Sequence, residues 1–262
     1  MKSGLLDSIP LWCFFPLAIV LGIGLVEGGY RYGCWRHSRI SDEKEAPVAA
    51  MVASLLGLLA FMLAFTFSMA ASRFDARRHA VSEEANSIGT TYLRSQLLSE
   101  PERTEISRLL RQYTKVRVEY MTEAKVPELI SISEKYHQEL WKHAKVAAEK
   151  APQSIPTGLF LQSLNETIDL HSKRVFLSLG SRIPSTIWLA LFGLTLLGLI
   201  SIGYQAGLTA TRRSPEMPVL ALAFASVLFL IVDLDRVHEG LLRVSQQAMI
   251  DLNRSLQSDE SN

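Results

Sequence analysis

Two groups of acidic residues have a spacing that would bring carboxylates together on helical faces. Glu83 and Glu84 are adjacent, and Glu166 precedes Asp169 by about one helical turn. Di-metal sites in helical bundles combine Glu with two Glu-x-x-His pairs on different helices. Here Glu166 and Asp169 are the one spaced pair considered, and no second pair accompanies them. We therefore favour a polar network that holds helices in register over a metal site. Its predicted members at this position are Glu83, Glu84, Asn165, Glu166 and Asp169.

A third group of charges, Asp233, Asp235 and Arg236, follows an apolar segment near the C-terminus. Ionisable side chains at membrane depth are costly and face a bundle interior or water. One interpretation is a structural ion-pair group at the membrane interface, with Arg73 or Arg77 as partners. The alternative is an ion pathway or a proton relay.

Motifs for enzymatic catalysis are not found in the sequence. It has no G-x-S-x-G, P-loop, H-E-x-x-H or C-x-x-C pattern. The cysteines, Cys13 and Cys34, are predicted to be free thiols, and a net charge of +1 gives no reason to expect a nucleic-acid partner. The sequence predicts a protein that is not an enzyme and has no cofactor or metal. A metal-dependent membrane enzyme is therefore a weaker hypothesis than an ion channel or a non-conducting membrane protein that binds a partner.

Four apolar segments are long enough to cross a bilayer, whose hydrocarbon core needs roughly 20 helical residues. No small-x-small cleavage site follows the first segment, which we therefore predict to be retained. Backbone groups in lipid must satisfy one another, so the segments are predicted to be helices of a multi-pass membrane protein. They are Ile9–Val26, Pro47–Ala71, Pro184–Ala206 and Met217–Leu234.

Between the second and third spans, residues 72–182 form a polar block without strand-like alternation. The second-span helix is predicted to continue to about Leu98, and prolines at 101, 127, 152 and 156 mark later helix boundaries. The last helix of the block is predicted to run into the third span. The predicted fold is all-α, with four transmembrane helices and a helical bundle-like extension. Its predicted parts are 1–71, 72–182, 183–235 and a helical tail, 236–262.

The side of the membrane that carries this block depends on which basic residues are counted. The two short loops contain six lysines and arginines, which favour a cytoplasmic position for the loops and an external block. Basic residues also flank the block and follow the fourth span, and these favour a cytoplasmic block. We favour the external placement by a small margin from loop charge alone.

Small residues four apart occur on the last two spans. Gly203 and Gly207 form one such pair, and Ala221 and Ala225 form another. Pairs of this kind allow two helices to approach closely. The sequence leaves open whether that contact lies within one chain or between subunits.

Three passages resemble the bacterial family of four-span membrane proteins labelled bestrophin-like. They are Phe61–Arg94, Pro156–His171 and Asp233–Gln246, and the similarity extends over most of the chain from about residue 46 to 256. The resemblance implies the layout of bestrophins, which are pentameric anion channels with four spans per subunit and a helical cytosolic region. It therefore places the block in the cytosol, against the loop-charge argument. The acidic calcium clasp of animal bestrophins is not evident.

The bestrophin pore neck is lined by bulky apolar residues of the second span. Phe61, Phe65 and Met69 have the matching spacing of one helical turn. They would form a hydrophobic constriction that gates by dewetting; the alternative is contact with lipid or packing within one subunit. The resemblance thus implies a homo-oligomer that passes small ions in the bacterial inner membrane. The competing hypothesis is a non-conducting membrane protein whose helical domain binds a partner or senses a signal.

Overall fold

The computed structural model describes residues 10–39, 45–119, 126–180, 182–209, 216–237 and 240–258. Within these ranges the chain forms eight α-helices and no strand, which confirms the predicted all-α fold. The helices are α1 (Leu11–Arg39), α2 (Glu45–Ser95), α3 (Glu102–Glu119), α4 (Val126–Lys150), α5 (Ile155–Leu179), α6 (Ser185–Leu208), α7 (Glu216–Asp235) and α8 (Gln247–Ser258).

Four of these helices, α1, α2, α6 and α7, are long and apolar enough to cross a membrane, as predicted. The largest difference between the predicted and the observed spans is in α1, which continues to Arg39 rather than ending near Val26. Glycine and proline are tolerated inside transmembrane helices, so Pro16, Gly22 and Gly24 do not end it. The predicted first residue of this span, at position 9, lies outside the described residues.

Two other predicted helices end differently. α5 stops at Leu179 instead of continuing into the third span. The Gly180 N–H makes the last helical hydrogen bond, to the Phe176 carbonyl, and Pro184 has no N–H for a continuing helix. The helix in the predicted tail covers only Gln247–Ser258, so the described residues from 236 to 246 are not helical.

The chain divides into two compact units. The membrane unit comprises Met1–Arg73 and Arg182–Leu242, and the helical unit comprises Phe74–Ser181 and Arg243–Asn262. The C-terminal segment from Arg243 belongs to the helical unit.

In the membrane unit, α1 packs against α6 and α7. The first part of α2 reaches α6 through Leu56 and Leu59, whose side chains lie beside Gly198. Leu59, Leu191 and Ile231 are completely buried. The unit therefore has an apolar core of its own.

In the helical unit, the second part of α2 shares a core with α3, α4, α5 and α8. Ile88, Leu110, Leu140 and Phe160 are completely buried there, and Met249 brings α8 onto the same core. Helix α5 begins where the Ser154 hydroxyl accepts the backbone N–H of residue 157, the N-cap arrangement. This core positions the charged groups described next.

Candidate functional site

One face of α2 in the membrane unit carries aromatic rings that the chain itself does not cover. Phe61 is 65% exposed and Phe65 54% exposed, and their rings are nearly parallel with centroids 6.4 Å apart. Met69, two turns after Phe61, is half-buried. Leu63 and Thr66, on the other side of the same helix, are buried. The aromatic face is thus available to lipid or to another subunit.

The glycine pair of α6 contacts α1 of the same chain. A methyl group added to Gly203 would lie 2.0 Å from the carbonyl oxygen of Val26. Gly207 lies against Gly33 in the same way, and Gly29 lies against the α6 backbone. Backbones this close leave no room for a side chain. This answers the question left open by the sequence, since the contact lies within one chain.

The alanine pair of α7 is also internal. Ala221 and Ala225 are 1% and 2% exposed. A methyl group on Gly22 of α1 would meet the Ala221 Cβ at 3.4 Å, an ordinary van der Waals distance. Helix α1 therefore packs against the glycines of α6 and against Ala221 of α7.

Asp233, near the end of α7, binds the backbone that follows the helix. It is 1% exposed, and its carboxylate accepts the N–H of Leu241 at 2.8 Å and of Leu242 at 3.1 Å. Gly240 has a φ of 138°, and a Cβ at that position would lie 2.2 Å from Asp233 Oδ1. Only glycine allows both this backbone conformation and this close approach.

Asp235 binds the segment that precedes α6. Its Oδ1 accepts the N–H of Ile183 at 2.9 Å, and Arg182 Nη1 lies 4.0 Å from its Oδ2. Arg236, next in sequence, is 4% exposed. These contacts support a structural role for the two aspartates. Their predicted pairing with Arg73 or Arg77 stays a prediction; Arg73 is half-buried and Arg77 is buried.

The most concentrated charge in the helical unit surrounds Glu84, whose side chain is completely buried. Its carboxylate accepts a hydrogen bond from Arg117 Nη2 at 2.9 Å and another from Arg174 Nη1. The Tyr113 hydroxyl donates to it at 3.1 Å, and His171 Nδ1 lies 3.5 Å away. One carboxylate of α2 therefore ties together α3 and α5.

A second layer of contacts extends this buried charged cluster. The His137 ring of α4 packs edge-on against Tyr113 and His171, with centroids 5.0 and 4.9 Å apart. Arg174 Nη2 donates to Gln246 Oε1 at 2.7 Å, which connects the cluster to the segment before α8. The cluster thus involves α2, α3, α4, α5 and the C-terminal segment.

Burial sets the protonation of two of these groups. Burial and then the charge of Glu84 raise the pKa of Tyr113 well above its usual value, so its hydroxyl stays protonated. Burial and the neighbouring His171 lower the pKa of His137 to about 4. His137 is therefore neutral near pH 7.

The other four candidates predicted together with Glu84 lie at the surface. Glu83 is exposed and pairs with Lys173 at 2.7 Å. Asn165 Nδ2 donates to Asp169 Oδ2 at 3.2 Å, and both residues are exposed, as is Glu166. Of the five candidates at this position, Glu84 is the one that faces the interior.

Four polar members of this region were not singled out from the sequence: Arg117, Ser133, His137 and Arg174. Ser133 and His137 occupy the position in the helical period that Leu140 and Ala144 continue, and all four are buried. The sequence signal that could have identified Ser133 and His137 is their position on the otherwise apolar face of α4. In the part of the chain that the structure describes, no three metal-ligating side chains form a cluster.

The low pKa of His137 predicts a pH dependence of stability. Between pH 6.5 and about 4, the unfolded chain binds a proton at this residue and the folded chain does not. Stability must therefore fall as the pH falls through this window, by at most about 3 kcal/mol. Thermal unfolding of the purified protein between pH 8 and 4 measures the effect. The slope should become shallower in His137→Phe and stay unchanged in His79→Gln, which alters an exposed histidine; equal slopes in the two variants would contradict the prediction.

Comparison with known proteins agrees with this architecture. A variant of a bacterial bestrophin homologue from Klebsiella pneumoniae has the same fold, with a TM-score of 0.69 and 15% identity over 95% of this chain and 99% of that chain. Another structure of that homologue has a TM-score of 0.66 and 15% identity, covering 92% of this chain and 97% of that chain. A third structure, of a variant described only as a membrane protein, has a TM-score of 0.67 and 14% identity, covering 93% of this chain and 97% of that chain.

No curated protein matches the chain significantly. The model of the bestrophin-like domain matches residues 20–249, which include all four membrane helices from the middle of α1 onward and nearly the whole helical unit. The chain is therefore an integral membrane protein that belongs to the bestrophin-like family.

Proposed function

We propose that this protein is a subunit of a homo-oligomeric ion channel in the bacterial inner membrane. The observation that carries the proposal is the aromatic face of α2. Phe61 and Phe65 are exposed on a membrane helix whose opposite side is packed within the chain. Family membership supports this proposal, because bestrophins conduct anions through a pore lined by the second span. We accordingly expect small anions to be the conducted class.

Several copies of this face around a common axis would form a narrow apolar ring. Such a constriction blocks ions when it dries and conducts when it is wetted. The stacking of the two phenyl rings, 6.4 Å apart, favours a fixed orientation of each side chain. Met69 would continue the ring by one turn with a more flexible side chain.

Removing the rings should open the constriction. We expect Phe61→Ala together with Phe65→Ala to raise the open probability in planar bilayers roughly tenfold or more, because a wider, less apolar neck stays wet. The matched control is Phe67→Ala, which removes a ring of the same helix that is 37% exposed and points in another direction. This control should behave like the wild type.

Two results would contradict the proposal. One is a wild-type protein that stays monomeric in mild detergent and passes no current. The other is a conducting oligomer in which the paired alanine variant and the Phe67→Ala control have the same open probability.

A second candidate function has its own support in the helical unit. Leu93 and Leu97 of α2 are 67% and 62% exposed, and Ile155 at the start of α5 is 77% exposed. Arg94 Nη1 donates to the Leu159 carbonyl at 2.8 Å, so these stretches of α2 and α5 lie side by side. Exposed apolar side chains in a polar domain are typical of a surface that binds another protein. A non-conducting protein with a partner bound here is the alternative.

Serine substitutions distinguish this alternative. Leu93→Ser with Leu97→Ser should remove a bound partner in affinity purification while current is unchanged. Phe176→Ser, at an exposed position of α5, is the control. A set of co-purified proteins that is the same in all three samples removes the basis for a partner site here.

A further inference from the structure

The buried charged cluster has more positive than negative charge. Glu84 is the carboxylate that Arg117 and Arg174 share, so one anion faces two guanidinium groups. Arg117 is 3% exposed, and the Arg174 side chain is 15% exposed. A buried charge without a counter-ion is strongly unfavourable. The arrangement therefore favours a second negative charge nearby.

Polar atoms with no hydrogen-bond partner in the described part of the chain lie around this surplus charge. They are buried and belong to residues that are less than a tenth exposed. Native proteins rarely leave such groups unsatisfied. The atoms are Arg117 Nε, Ser133 Oγ, His137 Nε2 and His171 Nε2.

Helical spacing and ring contacts connect the residues that carry these atoms. Arg117 lies one turn after Tyr113 on α3, and the Tyr113 ring contacts His137. Ser133 lies one turn before His137 on the same face of α4, and the His137 ring contacts His171. The four buried residues are thus connected, directly or through Tyr113, across α3, α4 and α5.

Three of these four atoms, Arg117 Nε, Ser133 Oγ and His137 Nε2, can donate a hydrogen bond. The guanidinium Nε–H can only donate, and the serine hydroxyl rotates to donate where an acceptor is present. His137 is neutral near pH 7 and can carry its proton on Nε2. His171 Nδ1 faces Tyr113 and Glu84, and its Nε2 is not counted as a donor.

We propose that the helical unit binds one small monovalent inorganic anion of the size of chloride between α3 and α4. Arg117 Nε–H, Ser133 O–H and His137 Nε2–H hold it, and it balances the second guanidinium. Three donors and a fixed positive charge suit a spherical anion with no protons of its own. The site lies within the helical unit and does not depend on whether the protein conducts.

Thermal unfolding of the purified full-length protein tests the site. The protein is dialysed into gluconate and then titrated with chloride or bromide at constant ionic strength. We expect both halides to raise the unfolding temperature of the wild type and to protect α3 and α4 from hydrogen exchange. In Ser133→Ala, the half-saturating halide concentration should increase about tenfold or more, because one hydrogen bond to a charge is lost.

The matched control is Ser163→Ala, which removes another buried hydroxyl of the helical unit. Its hydroxyl donates to the Phe160 carbonyl. This variant should keep the wild-type halide dependence even if it is less stable. Arg117→Gln should abolish the halide dependence; if it does not fold, His137→Phe is measured instead.

Crystals grown in bromide give an independent result. We expect an anomalous peak within hydrogen-bond distance of Arg117 Nε. A wild type whose stability is the same in halide and gluconate overturns the proposal. So does a bromide crystal in which only ordered water contacts Arg117 Nε, or a halide titration that Ser133→Ala leaves unchanged.

Discussion

Glu84→Gln should destabilise the helical unit by about 3 to 5 kcal/mol, the usual effect of removing one partner of a buried ion pair. The substitution keeps the shape of the side chain but leaves Arg117 and Arg174 buried without the carboxylate that they share. It also leaves the Tyr113 hydroxyl with a weaker acceptor. Denaturant unfolding followed by hydrogen exchange in peptides of α3 and α5 measures the loss.

The control is the adjacent residue. Glu83 is paired with Lys173, but both side chains are about half exposed, so water and salt screen the interaction. Glu83→Gln should therefore cost at most about 1 kcal/mol. Similar losses for the two neighbours would mean that burial of the carboxylate does not govern the stability of this unit.

The same physics predicts a rescue. A triple variant, Glu84→Leu, Arg117→Met and Arg174→Met, removes all three charges and keeps roughly the same volume. Buried charged networks replaced in this way are often as stable as the original or more stable. We therefore expect the triple variant to recover most of the stability that Glu84→Gln loses.

The membrane helices were predictable because one strong physical constraint determines them. A long apolar segment in lipid must form a helix, so composition alone located both ends of α6 and α7 and the start of α2 to within a few residues. The end of α1 was missed, since the rules for Gly and Pro in water do not hold in lipid. The end of α5 was missed as well, since the apolar pattern continues past Leu179 while Pro184 lacks the N–H that a continuing helix needs.

The buried charged cluster was only partly predictable. The sequence analysis identified Glu84 because it stands next to Glu83, and it expected a polar network with the stretch in which Glu166 precedes Asp169 by about one helical turn. It could not identify Arg117 or Arg174 as partners, since these contacts join residues 33 and 90 positions away in the chain. Lys and Arg are common on exposed helical faces, and no single sequence distinguishes a buried arginine from a solvated one.

Adjacent candidates that the sequence analysis placed in the same network differ in burial. Glu83 and Glu84 differ by 100° around α2, which is enough to place one in solvent and the other in the core. Asp233 and Asp235 accept backbone N–H groups from opposite directions in the chain. Such backbone partners are fixed by the tertiary fold and leave no pattern in the spacing of side chains.

Gly203→Val should prevent the membrane unit from packing correctly. A Cβ at this position would lie 2.0 Å from the Val26 carbonyl oxygen and 2.8 Å from the Tyr30 backbone nitrogen. These neighbours are backbone atoms of a long helix, so they cannot rotate away as a side chain would. Because α1 and α6 must separate along their contact, we expect a loss of about 3 kcal/mol or more and little folded protein after detergent extraction.

Two glycines of the same helix provide a graded control. A Cβ on Gly193 would meet nothing within 4 Å, so Gly193→Ala should be neutral or stabilising by up to about 1 kcal/mol. A Cβ on Gly198 would meet a terminal methyl of Leu59 at 3.3 Å, which can move slightly, so Gly198→Ala should have an intermediate effect. The thermal midpoint should decrease in the order Gly193→Ala, Gly198→Ala, Gly203→Ala. If all three variants melt together, the glycines of α6 do not set how closely it approaches α1, and the contact that orders the membrane unit must lie elsewhere.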